Sequence, residues 1–271
     1  MIHLSKITKQ YGSKILFKEA SFTVNPGERI GLVGPNGAGK TSIFRLIVGE
    51  EGIDSGVVSV PDRCVVGYFS QDVVEMHGRS VLEEVKTAAG NLPALGERLK
   101  KVEARLEDSA INPISDDEMQ KLLDDYGEVQ SQFERLGGYD LDSRAQEILT
   151  GLGFPTEEQN RPTEDYSGGW KMRIALAKIL LLNPDALLMD EPTNHLDVES
   201  IIWLENWLTQ YKGALVMTSH DRDFMNRLVT KIVEVANKSI TTYSGNYDFY
   251  ERERDIRRVQ LKAAFERQQE M

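Results

Sequence analysis

Eight residues, Gly34-Pro35-Asn36-Gly37-Ala38-Gly39-Lys40-Thr41, fit the spacing G-x-x-x-x-G-K-[ST] at every fixed position. That spacing suits phosphate chemistry. Glycines let the backbone close on phosphate oxygens where a side chain would stand in the way. Several N–H groups, with the dipole of a following helix, then converge on one anion. Lys40 is expected to reach the terminal phosphates, and the Thr41 hydroxyl to hold Mg²⁺. A second cluster is the acidic pair Asp190-Glu191, closed by Pro192. In a chain that already carries a phosphate loop, Asp190 is expected in the Mg²⁺ shell, while Glu191 polarises the attacking water. Gln71 and His220 each follow a β-prone run. Gln71 can reach Mg²⁺ or the water, and His220 the γ-phosphate or Glu191. Ser167-Gly168-Gly169 heads an apolar run and offers exposed N–H groups to an anion, although a serine N-cap with flexible glycines fits the same residues. Tyr11 lies in the polar stretch Lys9-Gln10-Tyr11-Gly12, which reads as a loop, and its ring can stack on a nucleobase.

The elements that must hold these residues alternate strand and helix. Arg29–Val33 reads as the strand feeding the phosphate loop and Ser42–Val48 as the helix leaving it. Short β-prone runs precede them at Ile2–Leu4 and Ser21–Val24, before the turn Asn25-Pro26-Gly27-Glu28. Val57–Val60 and Val65–Phe69 read as strands, and Ala186–Met189 as a buried one. A helix over 197–211, the strand Ala214–Thr218 and a hairpin turning at Ala236-Asn237-Lys238 complete the series. The fold class is α/β, a phosphate-loop NTPase with its chemistry at the C-terminal ends of strands.

Residues 91–137 break that rhythm. Leu92, Leu95, Leu99, Val102 and Leu106 make one narrow seam, and Met119, Leu122, Tyr126, Val129, Phe133 and Leu136 another. Glu107–Ile114 is too turn-rich to continue a helix, and Ser115-Asp116-Asp117-Glu118 starts a new one with a capping box. Two seamed helices around a short loop predict an antiparallel hairpin whose second helix spans about 33 Å at ~1.5 Å per residue. The charged flanks suit a projecting coiled-coil arm. Another short helix is expected over Ser143–Leu152.

Composition sets the outer limits. Hydrophobic residues make up 40% of the 271 and charged residues 28%, an ordinary globular balance. Neither a membrane-spanning run nor a signal peptide is legible, and the one cysteine, Cys64, excludes an internal disulfide or a cysteine-based zinc site. A cytoplasmic location fits these features and is expected. The net charge of −11 opposes non-specific nucleic-acid binding over the whole surface. Residues 248–271 hold six basic and six acidic residues, so residues 1–247 carry the entire −11. That neutral, arginine-bearing helix suits either RNA phosphates or a solvated linker. It has no stop signal before Met271, as expected of a piece of a longer protein.

Taken together, these motifs resemble an ATP-binding cassette domain, specifically the first cassette of an ABC-F protein. The resemblance covers nearly the whole chain. It rests on the order of phosphate loop, Gln71, Ser167-Gly168-Gly169, Asp190-Glu191, Asn194–Asp197 and His220. The subfamily rests on Asp190–Asp197, on Ser-Gly-Gly-Trp, on the arm and on the charged exit helix after Tyr247. It departs from the commonest pattern at Tyr166, where leucine is usual, and at Trp170, where transporters carry glutamine. The resemblance implies a helical subdomain bearing the arm, with the cassette over 1–247 (arm about 91–137 inserted) and the start of an interdomain linker over 248–271. It further implies ATP and Mg²⁺ as ligands, adenine stacking by Tyr11, and ATPase activity in a composite site. The Ser167 signature would close on ATP held by a second cassette, from the same full-length chain or from a second copy of this one. ABC-F proteins lack membrane domains and typically act on the ribosome as translation or antibiotic-resistance factors, so ribosome and tRNA are the implied partners. The ATPase subunit of a membrane transporter, and a coiled-coil ATPase of DNA maintenance, are the alternatives. A transporter cassette has no evident use for the arm and exit helix. The DNA-maintenance type usually places a much longer coil between the phosphate loop and the acidic pair, and its zinc-bearing repair form needs cysteines absent here.

Overall fold

The computed structural model describes residues 2–72 and 75–269, for residue 258 and residues 261–269 the backbone alone. Of the twelve charged residues counted over 248–271, the side chains of Arg258, Lys262, Glu266 and Arg267, and the whole of Glu270, lie outside the described residues. The chain divides into two compact units, Met1–Asp72 with Asn183–Met271, and Val73–Leu182.

In the first unit, β1 (Ile2–Tyr11) and β2 (Lys14–Val24) form an antiparallel hairpin, and β4 (Ser55–Ser59) pairs with the other edge of β1. Both strands are far longer than the short apolar runs suggest, and β1 includes Tyr11, which is therefore not in a loop. Gly12, at φ +57°, lets the chain reverse within two residues. An irregularity between Leu4 and Ile7, where Lys6 adopts φ +48°, resets the alternation so that Ile2, Leu4 and Ile7 all reach the core.

The second sheet has the order β5-β6-β7-β3-β8-β9. It contains β3 (Arg29–Val33), β5 (Val66–Phe69), β6 (Ala186–Asp190), β7 (Ala214–Thr218), β8 (Lys231–Ala236) and β9 (Ser239–Ser244). Neighbours are parallel except β8 and β9, which turn through Asn237 and Lys238, both at positive φ. Every residue of β6 and β7 is buried, which explains their unbroken apolar runs. Helix α1 (Lys40–Val48) drives Ile43, Phe44 and Ile47 into a core shared with Phe17, Ile30, Leu32, Leu188 and Val216. Asp197 caps α7 (Val198–Gln210) and Asp221 caps α8 (Arg222–Leu228), each accepting from a backbone N–H three residues on. The start of α9 (Tyr247–Gln269) is seated on β8 and α8. Tyr250 donates to Glu234 at 2.7 Å, Asn226 to Asp248 at 2.8 Å, and Arg222 pairs with Glu251 at 3.1 Å.

The second unit is helical: α2 (Val81–Lys86), α3 (Leu92–Ile111), α4 (Asp116–Arg135), α5 (Leu141–Gly151) and α6 (Gly168–Leu182). Helices α3 and α4 form the antiparallel hairpin, with Leu95 and Leu99 packed on Val129 and flanked by Tyr126 and Phe133. Arg98 pairs with Asp125 across it. Three expectations need correction. Helix α3 runs on to Ile111, because Asp108, Ser109 and Ala110 tolerate helix and only Pro113 forbids it. Helix α4 has 20 residues, about 30 Å. Leu136 leaves the seam at 56% exposure, since the helix already ends at Arg135. Glu84 of α2 is buried between Lys178 of α6 and Arg79. Tyr166 and Trp170 pack edge-on against Phe154, the Tyr166 hydroxyl donates to the Glu158 carbonyl at 3.1 Å, and the Arg173 guanidinium lies 4.5 Å over the Trp170 ring. The two aromatic departures thus serve local packing.

Candidate active site

Strand β3 ends directly in the glycine loop, and the loop's geometry admits no other residue at its entrance. Gly34 has φ +151°, and a Cβ there would stand 2.2 Å from the Val235 carbonyl oxygen. At Gly39, φ +106°, a Cβ would press on Leu16 and Phe17 at 3.0 and 3.1 Å. The Lys40 ammonium folds back over the loop and donates to the carbonyls of Gly34 and Pro35 at 2.8 and 3.3 Å.

The acidic pair is fixed by a neighbouring strand. Thr41 donates to Asp190 Oδ2 at 2.6 Å, and Thr218, at the end of β7, donates to Asp190 Oδ1 at 2.7 Å. The Thr218 hydroxyl also accepts the Glu191 N–H at 2.9 Å. Glu191 leaves the strand with φ +51°, a costly conformation for a side chain of this size, and turns its carboxylate toward His220. The His220 backbone N–H donates to Glu191 Oε2 at 2.9 Å, and its ring Nε2 lies 3.5 Å from Oε1. The Glu191 side chain is only 7% exposed, against 72% for His220. Burial raises the Glu191 pKa above the ordinary carboxylate range and the Asp190 charge adds to the rise, while His220 and Lys40 oppose it.

These groups face a cavity of about 520 Å³, within the size range of small-molecule sites. Of the residues expected from the sequence, Tyr11, Asn36, Gly37, Gly39, Lys40, Thr41, Gln71, Asp190, Glu191 and His220 line it. Gly34 lies at the loop's entrance. Ser167, Gly168 and Gly169 belong to the second unit, where they open α6, the Ser167 carbonyl accepting from the Lys171 N–H at 2.9 Å. Tyr11 is 48% exposed, with its hydroxyl on Glu51 and the Lys9 ammonium 4.9 Å from its ring centroid. Sequence reasoning missed Lys14, Leu16 and Ser42 in the lining and Thr218 behind it, and it named Asn194 only as part of a motif, without a place in the cavity. Lys14 was findable once β1 was extended through Tyr11, because a two-residue turn places it opposite that ring. Thr218 carries no such signal.

A glycine-loop cradle and strand-end carboxylates on a parallel sheet define a phosphate-loop ATPase. The chain belongs to the ABC transporter family, whose pattern it matches over residues 17–194, with a further match to the family's ABC_tran_Xtn segment over residues 233–271. It is 37% identical over 270 residues to the "Probable ATP-binding protein YheS" of Haemophilus influenzae, covering 100% of this chain and 40% of that protein. It is 39% identical over 250 residues to "ABC transporter F family member 5" of Arabidopsis thaliana, covering 92% of this chain and 36% of that one. The chain thus spans well under half the length of these relatives. Among solved structures, its fold matches the ATP-binding subunit of an ABC transporter with a TM-score of 0.67 at 17% identity, covering 95% of this chain and 94% of that one. It also matches a bacterial ABC transporter cassette solved as a dimer, with a TM-score of 0.60 at 20% identity, covering 90% and 98%. No helix among the described residues is long and apolar enough to cross a membrane.

Proposed function

We propose that the cavity binds ATP with Mg²⁺ and that Glu191 takes a proton from the water attacking the γ-phosphorus. The observation that carries this is the Glu191 environment: a buried carboxylate with a raised pKa, held by the His220 N–H and next to an aspartate tied to the phosphate-loop threonine. Raising a carboxylate's pKa brings its proton affinity closer to what a base needs near neutral pH. Tyr11 stacks on adenine. The loop around Gly34, Asn36, Gly37 and Gly39 wraps the phosphates, and Lys40 swings from its carbonyl partners to the terminal ones. His220 orients Glu191. Thr41, Asp190 and Gln71 fit Mg²⁺ as hard oxygen donors, the first two already 2.6 Å apart and the third in the same cavity wall. The ion would offset charge on the β- and γ-phosphates. Glu191→Gln should keep ATP affinity and lose about a hundredfold or more in turnover, whereas Lys40→Ala should lose binding itself. Near-normal phosphate release by Glu191→Gln in the full-length protein would reject the assignment.

The reading extends to the whole protein. Ser167, Gly168 and Gly169 cover ATP held by a second cassette, in the same full-length chain or in a second copy. The dimeric solved cassette and the length of the relatives support this. Residues 1–247 act as the cassette and 248–271 begin the helical linker to its partner. The ABC-F relative, the arm and the charged exit helix support a cytoplasmic factor that works on the ribosome and its tRNA. Co-sedimentation of full-length protein with ribosomes tests this. ATP should increase association, most of all for Glu191→Gln, and no association in either condition would reject it.

A further inference from the structure

Lys14 stands in the cavity wall with no part in the phosphate loop or the strand-end cluster. It is the direct cross-strand partner of Tyr11 in the β1–β2 hairpin, so the two side chains stand on one face of that ribbon. Its ammonium lies 3.2 Å from where a Cβ on Gly37 would be, at the crown of the phosphate loop. Lys40 points elsewhere, toward the Gly34 and Pro35 carbonyls. The cavity therefore has two cations, one on the Tyr11 side and one on the Thr41 side. Among the described residues Lys14 has no carboxylate partner that would have to be given up.

Charge points the same way. With His220 neutral, Lys14 and Lys40 balance Asp190 and Glu191 in the lining. Without Lys14 the cavity would be net negative, in a chain of net charge −11, while facing a polyphosphate. We propose that Lys14 is a second phosphate-binding residue that grips the α- and β-phosphates while Tyr11 holds the base. The hairpin end thus reads the part of the nucleotide that ATP and ADP share. This rests on the reading of the cavity as a nucleotide site.

Titration calorimetry on the 271-residue chain with ATP, ADP and adenosine tests it, using Lys14→Gln, Lys14→Arg and Lys40→Ala, each checked for folding by circular dichroism. Lys14→Gln should weaken ATP and ADP alike by about tenfold, as expected for one charge-assisted hydrogen bond, and leave adenosine unchanged. The loss should shrink as salt is raised, and Lys14→Arg should restore most of the affinity. Equal loss for adenosine, loss confined to ATP, or no loss at all would overturn the proposal. A Lys40→Ala chain that binds ATP like the wild type would instead reject the nucleotide site on which it rests.

Discussion

Thr41 and Asp190, which share a hydrogen bond in the cavity, are 149 residues apart in the chain. Arg98 and Asp125, which join the two helices of the arm, are 27 apart. The acidic side of the cavity is held by the register of a six-stranded sheet, and there local preference is overridden: Glu191 has φ +51°, and two carboxylates sit side by side, buried. The arm contains nothing of that sort. It has a capping box, a narrow apolar seam and ion pairs on its flanks. Regions built in these two ways should respond to damage differently. Cavity substitutions should show first in binding and turnover, arm substitutions in the local stability of the arm.

The largest effect should come from Gly34→Val, whose Cβ meets the Val235 carbonyl oxygen at 2.2 Å. ATP affinity should fall by about a hundredfold or more, because the loop must move to admit a side chain in a backbone region glycine favours. Hydrogen exchange in α3 and α4 should stay as in the wild type. If the arm loosened as well, the separation between the regions would fail.

Thr218→Val comes next. It keeps the shape but strips the Glu191 N–H of its acceptor and Asp190 of a donor, at a cost of about 1–3 kcal/mol for each buried group left unpaired. Turnover should drop about tenfold while ATP affinity changes by less than about threefold, since the residue positions the carboxylates without touching the nucleotide. Steady-state kinetics with a separate binding measurement would decide, and an unchanged rate would remove Thr218 from the machinery.

Leu99→Ala should destabilise the arm by about 2 kcal/mol, the low end for a buried leucine because the seam is only one layer deep. Ser115→Ala should cost it about 1 kcal/mol through the lost cap. Both effects should be seen as faster exchange in α3 and α4, with ATP affinity unmoved. An affinity change would mean that the arm and the cavity share stability.

The smallest effect is a pH dependence. Burial raises the Glu191 pKa, so the folded chain holds that proton more tightly than the unfolded chain. Its contribution favours folding below the ordinary carboxylate range and is lost as pH rises through the raised value. Glu191→Gln removes this titration, so its melting temperature should gain on the wild type between pH 4 and pH 8. A constant difference across that range would show that the carboxylate is not penalised by burial.

Much of this molecule was open to reading in advance, for local reasons. The glycine loop, the run Ala186–Asp190 and the seam of α3 and α4 each announce themselves, because a tight turn, a buried strand and a helix face impose a residue pattern within a few positions. Where reading failed, a longer-range effect had overridden the local one. Tyr11 looks like a loop residue beside Gly12, but pairing with Lys14 keeps it in β1. Glu107–Ile111 looks like a turn, but the helix holds until Pro113 stops it.

The sequence by itself determined the glycine loop with its lysine and the carboxylate pair that ends β6, since a tight turn and a buried strand each impose a residue pattern within a few positions. Only the tertiary structure decided that Lys14 stands beside the glycine loop, that Thr218 bridges Asp190 and Glu191, and that the Glu191 carboxylate is buried against His220. Those relations depend on which strands lie side by side and in what register. Hydrogen bonding between strands distant in the chain fixes that order, and no local pattern encodes it.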